Sequence, residues 1–543
     1  MKADRLPRLT IASGGETRVI AAPPGLSLRD AIGTTDLKVR SGCNGSGACS
    51  LCRVRIEEGT ANEPGANELV MLTAEELRGG IRLACRVTPV GDLRVRIVNP
   101  APASDWRRLI VEPPPGRRPL ARPPGGRAAG DGKESYGVAI DLGTTNISMS
   151  LWDLLRARRL SSVLGPNRQS CHGSDVMSRL IAACSSSAQA SEMSRVVRGS
   201  MEEGILDMCA REGYDFQKIA HISVVGNTAM LALLVEKNAG LLLSPEHWTA
   251  AVDCSPEDGR TWFEGCRMNN DASLEVVQPL GGFVGSDLLA GIVATGLTEG
   301  DGAALLIDFG TNSEIALWDG TRLWVTSAAG GPAFEGWGIR HGMPADTGAI
   351  YRVDGPNGDS APSVRVVGGG EARGICGSGM VDLIANLARA GLLSKKGKLA
   401  EGLRDKGFVV ARGLPDIVLN NRDVDVFQRA KAAIGAGVRV LLTMAGMDAG
   451  GLRRICVAGS FGRFLDIRNA QAIGLLPVAS SERVELWGSA ALMGCEALLL
   501  SEDGSVYLRS LRRDKTTLVN LSQVPEFGEH FLESLYLQPL GQD

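Results

Sequence analysis

Gly137-Val-Ala-Ile-Asp-Leu-Gly-Thr-Thr145 is an apolar run that ends in an aspartate and breaks into a Gly-Thr turn. Ala304-Leu-Leu-Ile-Asp-Phe-Gly-Thr-Asn312 repeats it with Asp, Gly and Thr at the same spacing. A short unbroken apolar run reads as a buried strand, and the turn after it as the tip of a polar hairpin whose glycine permits close backbone approach. A single copy would be an ordinary β-turn. Two copies split the region from Tyr136 onward into related halves. Strand-like and helix-like segments alternate throughout that region, which is the pattern of an α/β domain.

The two turns suit phosphate chemistry. The Asp141 and Asp308 carboxylates can hold Mg2+ through water and organise an attacking water, with Asp308 the stronger candidate for the critical role. Gly143 and Gly310 let main-chain N–H groups face an anion, and Thr144, Thr145, Thr311 and Asn312 can receive phosphate oxygens. The plain alternative for each threonine is strand-end packing. The sequence has no P-loop and no G-x-G-x-x-G after a strand, which removes the Walker and Rossmann readings.

Toward the N-terminus, residues 5–99 read as a β-rich unit with strands at Arg8–Ala12, Thr17–Ala21, Arg53–Glu57 and Leu93–Val98 and a helix around Ser27–Ile32. Cys43-Asn-Gly-Ser-Gly-Ala-Cys49-Ser-Leu-Cys52 puts three thiols on a glycine-rich loop, and Cys85 follows at a distance. Four thiolates satisfy a [2Fe–2S] cluster, and the glycines let N–H groups point at the sulfurs. The spacing resembles that of adrenodoxin-like ferredoxins. The alternatives are a structural zinc site, which usually arrives as two Cys-x-x-Cys pairs, and four unrelated buried thiols. The remaining cysteines, at 171, 184, 209, 254, 266, 376, 456 and 495, show no ligand spacing and read as packing residues. Residues 113–130 hold too much Pro, Gly and Arg for a helix or a central strand, and about 25 flexible residues there would reach about 25–30 Å.

Composition sets the outer bounds. A chain of 543 residues exceeds one ordinary core and points to several domains. Net charge is −3 and the only dense basic stretch is 117–127, so nucleic acid is not an expected partner. The N-terminus lacks a signal-peptide core and no run of about 18 apolar residues occurs, so the expected location is cytoplasmic, with no membrane partner. In that reducing setting the twelve cysteines are expected as ligands or buried thiols.

Paired Asp turns facing across a cleft resemble the phosphate clamp of the actin, sugar kinase and heat-shock ATPase (ASKHA) superfamily. Within that resemblance Val457-Ala-Gly-Ser-Phe-Gly462 looks like the adenosine loop, with Gly459, Ser460 and Gly462 as contacts. Gly377, Ser378 and Gly379 look like the segment that opens the helix between subdomains. An amphipathic helix at Val424–Met444 carries Lys431, which can approach a nucleotide or simply be solvated.

With the cysteine-bearing unit added, the chain resembles, nearly end to end, the reductive activators of corrinoid-dependent methyltransferases. Gly281–Asp287, Gly330–Gly336, Ile434–Gly437 and Gly474–Pro477 are further stretches of that kind. The resemblance implies a multidomain α+β and α/β chain. Its parts would be a β-grasp ferredoxin-like domain at 1–99, a flexible linker at 100–135 and a two-lobed actin-like ATPase domain at 136–543. The lobes would run roughly 136–300 and 301–543, with no additional middle domain.

The resemblance also implies ATP-dependent return of an inactive Co(II) corrinoid to Co(I), by one-electron transfer from a [2Fe–2S] cluster, with ATP and Mg2+ as cofactors. The partners would be a cobalamin-binding protein of a methyltransferase system and an upstream low-potential reductase or ferredoxin, with a homodimer as one arrangement. A ferredoxin-type cluster lies near about −400 mV and the cobalt couple is more reducing, so the transfer is uphill. ATP supplies the drive only if its states bind the partner's conformations unequally. Two rivals stay open: an ATP-driven electron donor to another enzyme such as a dehydratase, and a nucleotide-responsive scaffold that binds a corrinoid protein without turnover. Ser460 stands where the adenosine loop calls for glycine, and Asn167–Asp175 is a looser form of the family's Asn-Pro-Gln stretch.

Overall fold

Alternating apolar residues near the N-terminus build the first sheet. The computed structural model describes the chain apart from residues 1–5, 23–24, 41–44, 46, 48–49, 101–103, 117–133, 174, 258–271, 357–361, 460, 462–463, 502–507, 509–510, 512–514 and 541–543. Strands β1 (Arg8–Ser13), β2 (Glu16–Ala21), β3 (Arg53–Ala61), β4 (Ile81–Leu83) and β5 (Pro89–Ile97) lie in the order β2-β1-β5-β3-β4. β1 and β5 run parallel while the other pairs are antiparallel, which is the β-grasp arrangement. Helix α1 (Leu28–Gly33) begins at Ser27, whose hydroxyl accepts from Asp30 N–H. It lays Leu28 and Ile32 on Leu9, Ile11, Val54, Leu83 and Val95 to close a separate core. Two short helices, α2 (Ala66–Met71) and α3 (Ala74–Arg78), cross between β3 and β4.

Lobe I is built on β6 (Arg107–Arg108), β7 (Tyr136–Leu142), β8 (Asn146–Asp153), β9 (Arg158–Pro166), β10 (Ile219–Gly226) and β11 (Ser273–Val276). Helices α4 (Val176–Ser185), α5 (Ser187–Glu212), α6 (Thr228–Val235) and α7 (Ser286–Thr295) accompany them. Lobe II repeats the plan with β12 (Ala303–Asp308), β13 (Ser313–Trp318) and β14 (Leu323–Ala328), followed by three short strands, β15 (Ala349–Asp354), β16 (Ser363–Val366) and β17 (Gly374–Ile375). After α8 (Gly377–Arg389) come β18 (Phe408–Ala411), β19 (Ile417–Leu419), α9 (Asn421–Met444), β20 (Leu452–Ala458) and α10 (Ile467–Ala472). The chain ends through β21 (Val484–Leu486), α11 (Ala490–Leu500), β22 (Thr516–Leu518) and α12 (Phe527–Ser534).

The two large sheets run β11-β10-β7-β8-β9-β6 and β21-β20-β12-β13-β14-β22. In each, the repeated Asp-bearing strand pairs parallel with a later strand on one side and antiparallel with its own hairpin on the other. The sequence repeat is therefore a repeat of topology. Helices α7 and α11 pack on each other between the sheets, burying Leu288, Leu289 and Ile292 with Leu492, Leu306 and Val225. Their crossing is close because Gly494 has no side chain: a Cβ there would collide with the Ala290 carbonyl oxygen.

The expected linker differs in its first part. Trp106 is 1% exposed in the core of lobe I, lying over Gly165 and Gly204, and Leu109 N–H donates to Ser162 O at 2.9 Å. One large indole with two glycines to receive it outweighs the poor strand propensity around it, so 106–111 edges the lobe I sheet. Residues 117–133 lie outside the described residues. Among the isolated cysteines, 209, 254, 376, 456 and 495 are buried as expected of packing residues. Cys171 and Cys184 are exposed and are not, and Cys266 lies outside the described residues. No helix among the described residues is long and apolar enough to cross a membrane.

Gly494→Val should prise α7 from α11 and cost about 1–3 kcal/mol by overpacking. Urea unfolding would read this as a lowered midpoint; an unchanged midpoint would show that the crossing has slack.

Candidate functional site

The β7–β8 turn carries Gly143, Thr144 and Thr145 and is held from behind by three polar side chains. Asn167 Nδ2 donates to Gly143 O at 2.9 Å, Arg179 Nη1 donates to Thr144 O at 2.7 Å, and Asn227 Nδ2 donates to Thr144 Oγ1 at 3.1 Å. Asn167 is fully buried and Arg179 is 1% exposed, so the turn is fixed from inside. This gives the looser Asn167–Asp175 stretch a role: Asn167 locks the hairpin. Thr144 and Thr145 themselves are not buried. Arg179 and Asn227 escaped the sequence reading because they approach from α4 and from the end of β10, and only the folded chain brings them there.

The β12–β13 turn carries Gly310, Thr311 and Asn312. Thr311 Oγ1 donates to Glu335 Oε1 at 3.3 Å, while Glu335 Oε2 is buried with no hydrogen-bond partner and burial pushes that carboxyl's pKa up. Gly459, at φ +89, ends β20 directly beneath: a Cβ would strike Phe309 O and stand 3.1 Å from Asp308 Oδ1. The loop read as an adenosine contact thus starts against the hairpin; Ser460 and Gly462 lie outside the described residues.

Two further carboxylates complete the cleft. Register places Glu314 opposite Asp308 across the hairpin. Asp287 sits in the first turn of α7, behind Gly285, which packs on Gly226 and Asn227 at the end of β10. The four carboxylates are half-buried and act on one another as like charges. Burial, then Asp287 and Asp308, push Asp141 well above the usual carboxylate range. Burial and Asp287 push Asp308 up to about 7, burial pushes Asp287 up to about 6, and Glu314 rises well above its ordinary value through burial, Asp287 and Asp308. Such a set calls for a counter-cation, the chemistry of a Mg2+ site. Among the described residues no three Asp, Glu, His or Cys side chains gather closely enough to hold an ion directly. Glu314 is legible in retrospect, since it stands across the turn from Asp308. Asp287 closes the Gly281–Asp287 stretch, which stands out in the sequence but carries no role there.

Gly377, Ser378 and Gly379 open α8 from within the core. A Cβ at Gly377 would meet the Phe461 ring at 2.7 Å, and Ser378 Oγ donates to Tyr351 O at 3.1 Å. Lys431 corrects an expectation: it is fully buried, donating from Nζ to Ser534 O at 2.5 Å and Tyr536 O at 2.8 Å, and so fixes the segment after α12. Burial pushes its pKa down to about 7.

In the β-grasp domain Ala84 N–H donates to Cys52 O at 2.8 Å, which sets Cys52, just before β3, beside the turn bearing Cys85. Both thiols are buried and outside any disulfide, a donor pair suited to an iron–sulfur cluster. Cys43 and Cys49 lie outside the described residues.

Comparison with known proteins matches three family models. One described as the C-terminal domain of RACo, the ASKHA domain, covers residues 302–543; the RACo middle region covers 136–300; a 2Fe-2S iron-sulfur cluster binding domain covers 11–90. The chain is 32% identical over 425 residues to the corrinoid activation enzyme RamQ of Eubacterium limosum, spanning 74% of this chain and 70% of RamQ. It is 26% identical over 395 residues to the [Co(II) methylated amine-specific corrinoid protein] reductase of Methanosarcina barkeri, spanning 67% and 70% of the two chains. A solved structure titled as a reductive activator for corrinoid, iron-sulfur protein superposes over 98% of both chains with a TM-score of 0.66 at 27% identity.

Because Asp287 and Asp308 titrate above an unfolded carboxylate, the folded chain binds more protons than the unfolded one from about pH 4 to about pH 7. Their contribution to stability is present at low pH and lost as pH rises through that window. Without nucleotide or divalent ion, Asp308→Asn should therefore be more urea-resistant than the wild type at pH 8, with the advantage fading toward pH 4; a separate assay with ATP and Mg2+ should find its turnover lowered about 100- to 1,000-fold. For Lys431, with a folded pKa near about 7 against about 10.4 unfolded, the sign reverses: its contribution grows as pH rises from 7 to 10. The stability gap between wild type and Lys431→Met, measured by urea unfolding, should widen over that range.

Proposed function

The chain belongs to the reductive activators of corrinoid proteins, and we propose that it uses ATP to drive one electron from its iron–sulfur domain into a Co(II) corrinoid held by a partner protein, giving Co(I). The observation that carries this reading is the joining, in one chain, of a β-grasp fold that sets Cys52 beside Cys85 and a duplicated Asp hairpin that gathers Asp141, Asp287, Asp308 and Glu314 between two lobes.

The proposed roles follow the division into 1–99, 100–135 and 136–543. Cys43, Cys49, Cys52 and Cys85 hold a [2Fe–2S] cluster, which when bound supplies one-electron transfer. In the cleft, Asp141 and Asp308 hold the waters of Mg2+, with Asp287 and Glu314 adding negative charge. Gly143, Thr144, Thr145, Gly310, Thr311 and Asn312 receive phosphate oxygens. Gly459, Ser460 and Gly462 approach the nucleoside, and Gly377, Ser378 and Gly379 carry the joint between subdomains. The cation offsets the repulsion among the four carboxylates and of the phosphates with them, while the phosphates bridge it to the N–H groups and hydroxyls of both turns, so nucleotide with its cation favours the arrangement in which the hairpins are close. Loss of the terminal phosphate removes part of that bridge. A partner that binds the closed arrangement more tightly than the open one is thereby coupled to turnover.

The decisive assay is anaerobic absorbance of a Co(II) corrinoid protein mixed with this protein, a low-potential reductant and Mg2+, with and without ATP. A Co(I) band that forms only with ATP supports the reading. Cobalt that stays Co(II) beside a reduced cluster would overturn it in favour of a scaffold or of a different acceptor.

A further inference from the structure

Arg29, on α1, is 6% exposed and lies between the iron–sulfur loop and lobe I. On one side its guanidinium carbon stands 3.3 Å from where a Cβ of Gly45 would be, two residues past Cys43. Gly45 has φ +83, a conformation in which glycine is favoured, and its bare backbone lets the guanidinium come this close. On the other side Arg29 Nη1 meets Glu212 Oε2 at 3.2 Å, and Glu212, 1% exposed, is the last residue of the long helix α5 of lobe I. Asp30 Oδ1 accepts from Arg29 Nε at 3.0 Å. Arg108 of β6 reaches Glu212 Oε1 and Asp30 Oδ1, each at 3.2 Å. Lys38 shares the pocket, and Arg211 nearby is paired with Asp207. Burial opposes the charge on Arg29, while Glu212, then Asp30 and Cys85, hold its pKa above the ordinary range, so it is a permanent cation at this spot.

A cluster held by four thiolates gains one negative charge on reduction. A fixed cation beside it favours the reduced form, and an anion beside that cation weakens the preference; in a pocket this dry both effects are large. We infer that Arg29 sets the reduction potential of the [2Fe–2S] cluster and that Glu212 of lobe I holds that potential down, so the ATPase domain tunes the cluster through this ion pair. The helix that carries Glu212 packs along β8, β9 and the turn at Arg168–His172, next to the Asn167 that locks the phosphate hairpin. The β-grasp domain also touches lobe II: a Cβ at Gly368 would stand 2.9 Å from Val19 O of β2. Resting on both lobes, the domain is placed so that a change in lobe angle strains the Arg29–Glu212 contact.

The inference rests on the assignment of the cluster to Cys43, Cys49, Cys52 and Cys85 but not on ATP-driven corrinoid reduction, and it is tested without partner or nucleotide. Anaerobic redox titration of the full-length holoprotein, followed by electron paramagnetic resonance of the reduced cluster, should show Arg29→Gln less reduced than wild type at a fixed potential by about tenfold, or about 59 mV for one electron. Arg29→Lys should stay near wild type, and Glu212→Gln should shift the opposite way, toward easier reduction. Equal midpoints for wild type and Arg29→Gln with the visible spectrum intact would overturn the proposal. So would a Glu212→Gln midpoint that is unmoved or lower. If Arg29→Gln fails to retain its cluster, the direction of the Glu212→Gln shift alone decides.

Discussion

One helix crossing fixes the distance on which the cleft between the two hairpins depends. α7 begins at Ser286 with Asp287 in its first turn, then drives Leu288, Leu289 and Ile292 between the two large sheets against α11. The same ten residues therefore separate the lobes and deliver a carboxylate to the space between their hairpins. An acidic group at a helix start is favoured by the local dipole, which offsets some of the cost of burying it near Asp141 and Asp308. The apolar remainder of the helix anchors it firmly enough to bear the repulsion. Moving α7 by one residue of register would lose both functions at once.

The electrostatic strain in the cleft is of a kind that active sites hold and packed cores do not. Nothing in the described cleft offers these carboxylates an arginine or lysine: Arg179 is spent on Thr144 O and the turn after Gly173, and Lys431 on the C-terminal segment. The hairpin backbone, by contrast, is held rigidly by Asn167 and Arg179, which leaves the donor atoms in place whether or not an anion is bound.

Much of this was legible in the sequence because the Asp-bearing strands are buried on both faces, so their apolar runs are continuous and the turns that end them stand out. The fold brings Cys52 and Cys85 close together, as a cluster of thiols with a distant fourth leads one to expect of the β-rich unit. What was not legible comes from convergence. Asp287, Arg179 and Asn227 belong to elements far apart in sequence, and no periodicity links them to the hairpins. Lys431 was misread because a lysine in a helix is normally a solvated one, and its burial depends on a C-terminal segment that only the folded chain lays over it. The strand at Arg107–Arg108 was hidden by the prolines that follow it; a single tryptophan, fitted to two glycines, holds it in place.

That small strand changes the geometry of the tether. The β-grasp core closes at the bridge between Val39 and Pro100, and lobe I already holds the chain at Trp106. Between Pro100 and Trp106 only six Cα-to-Cα steps are available, a span of at most about 20–23 Å. The Pro-rich stretch further on lies beyond that anchor, so its length adds nothing to the leash. While Trp106 stays seated, the iron–sulfur domain can move no farther than that span. An electron acceptor must then bring its own cofactor to the cluster, and the shape of the crevice left around the domain, rather than the length of a flexible arm, decides which acceptors can come within tunnelling range.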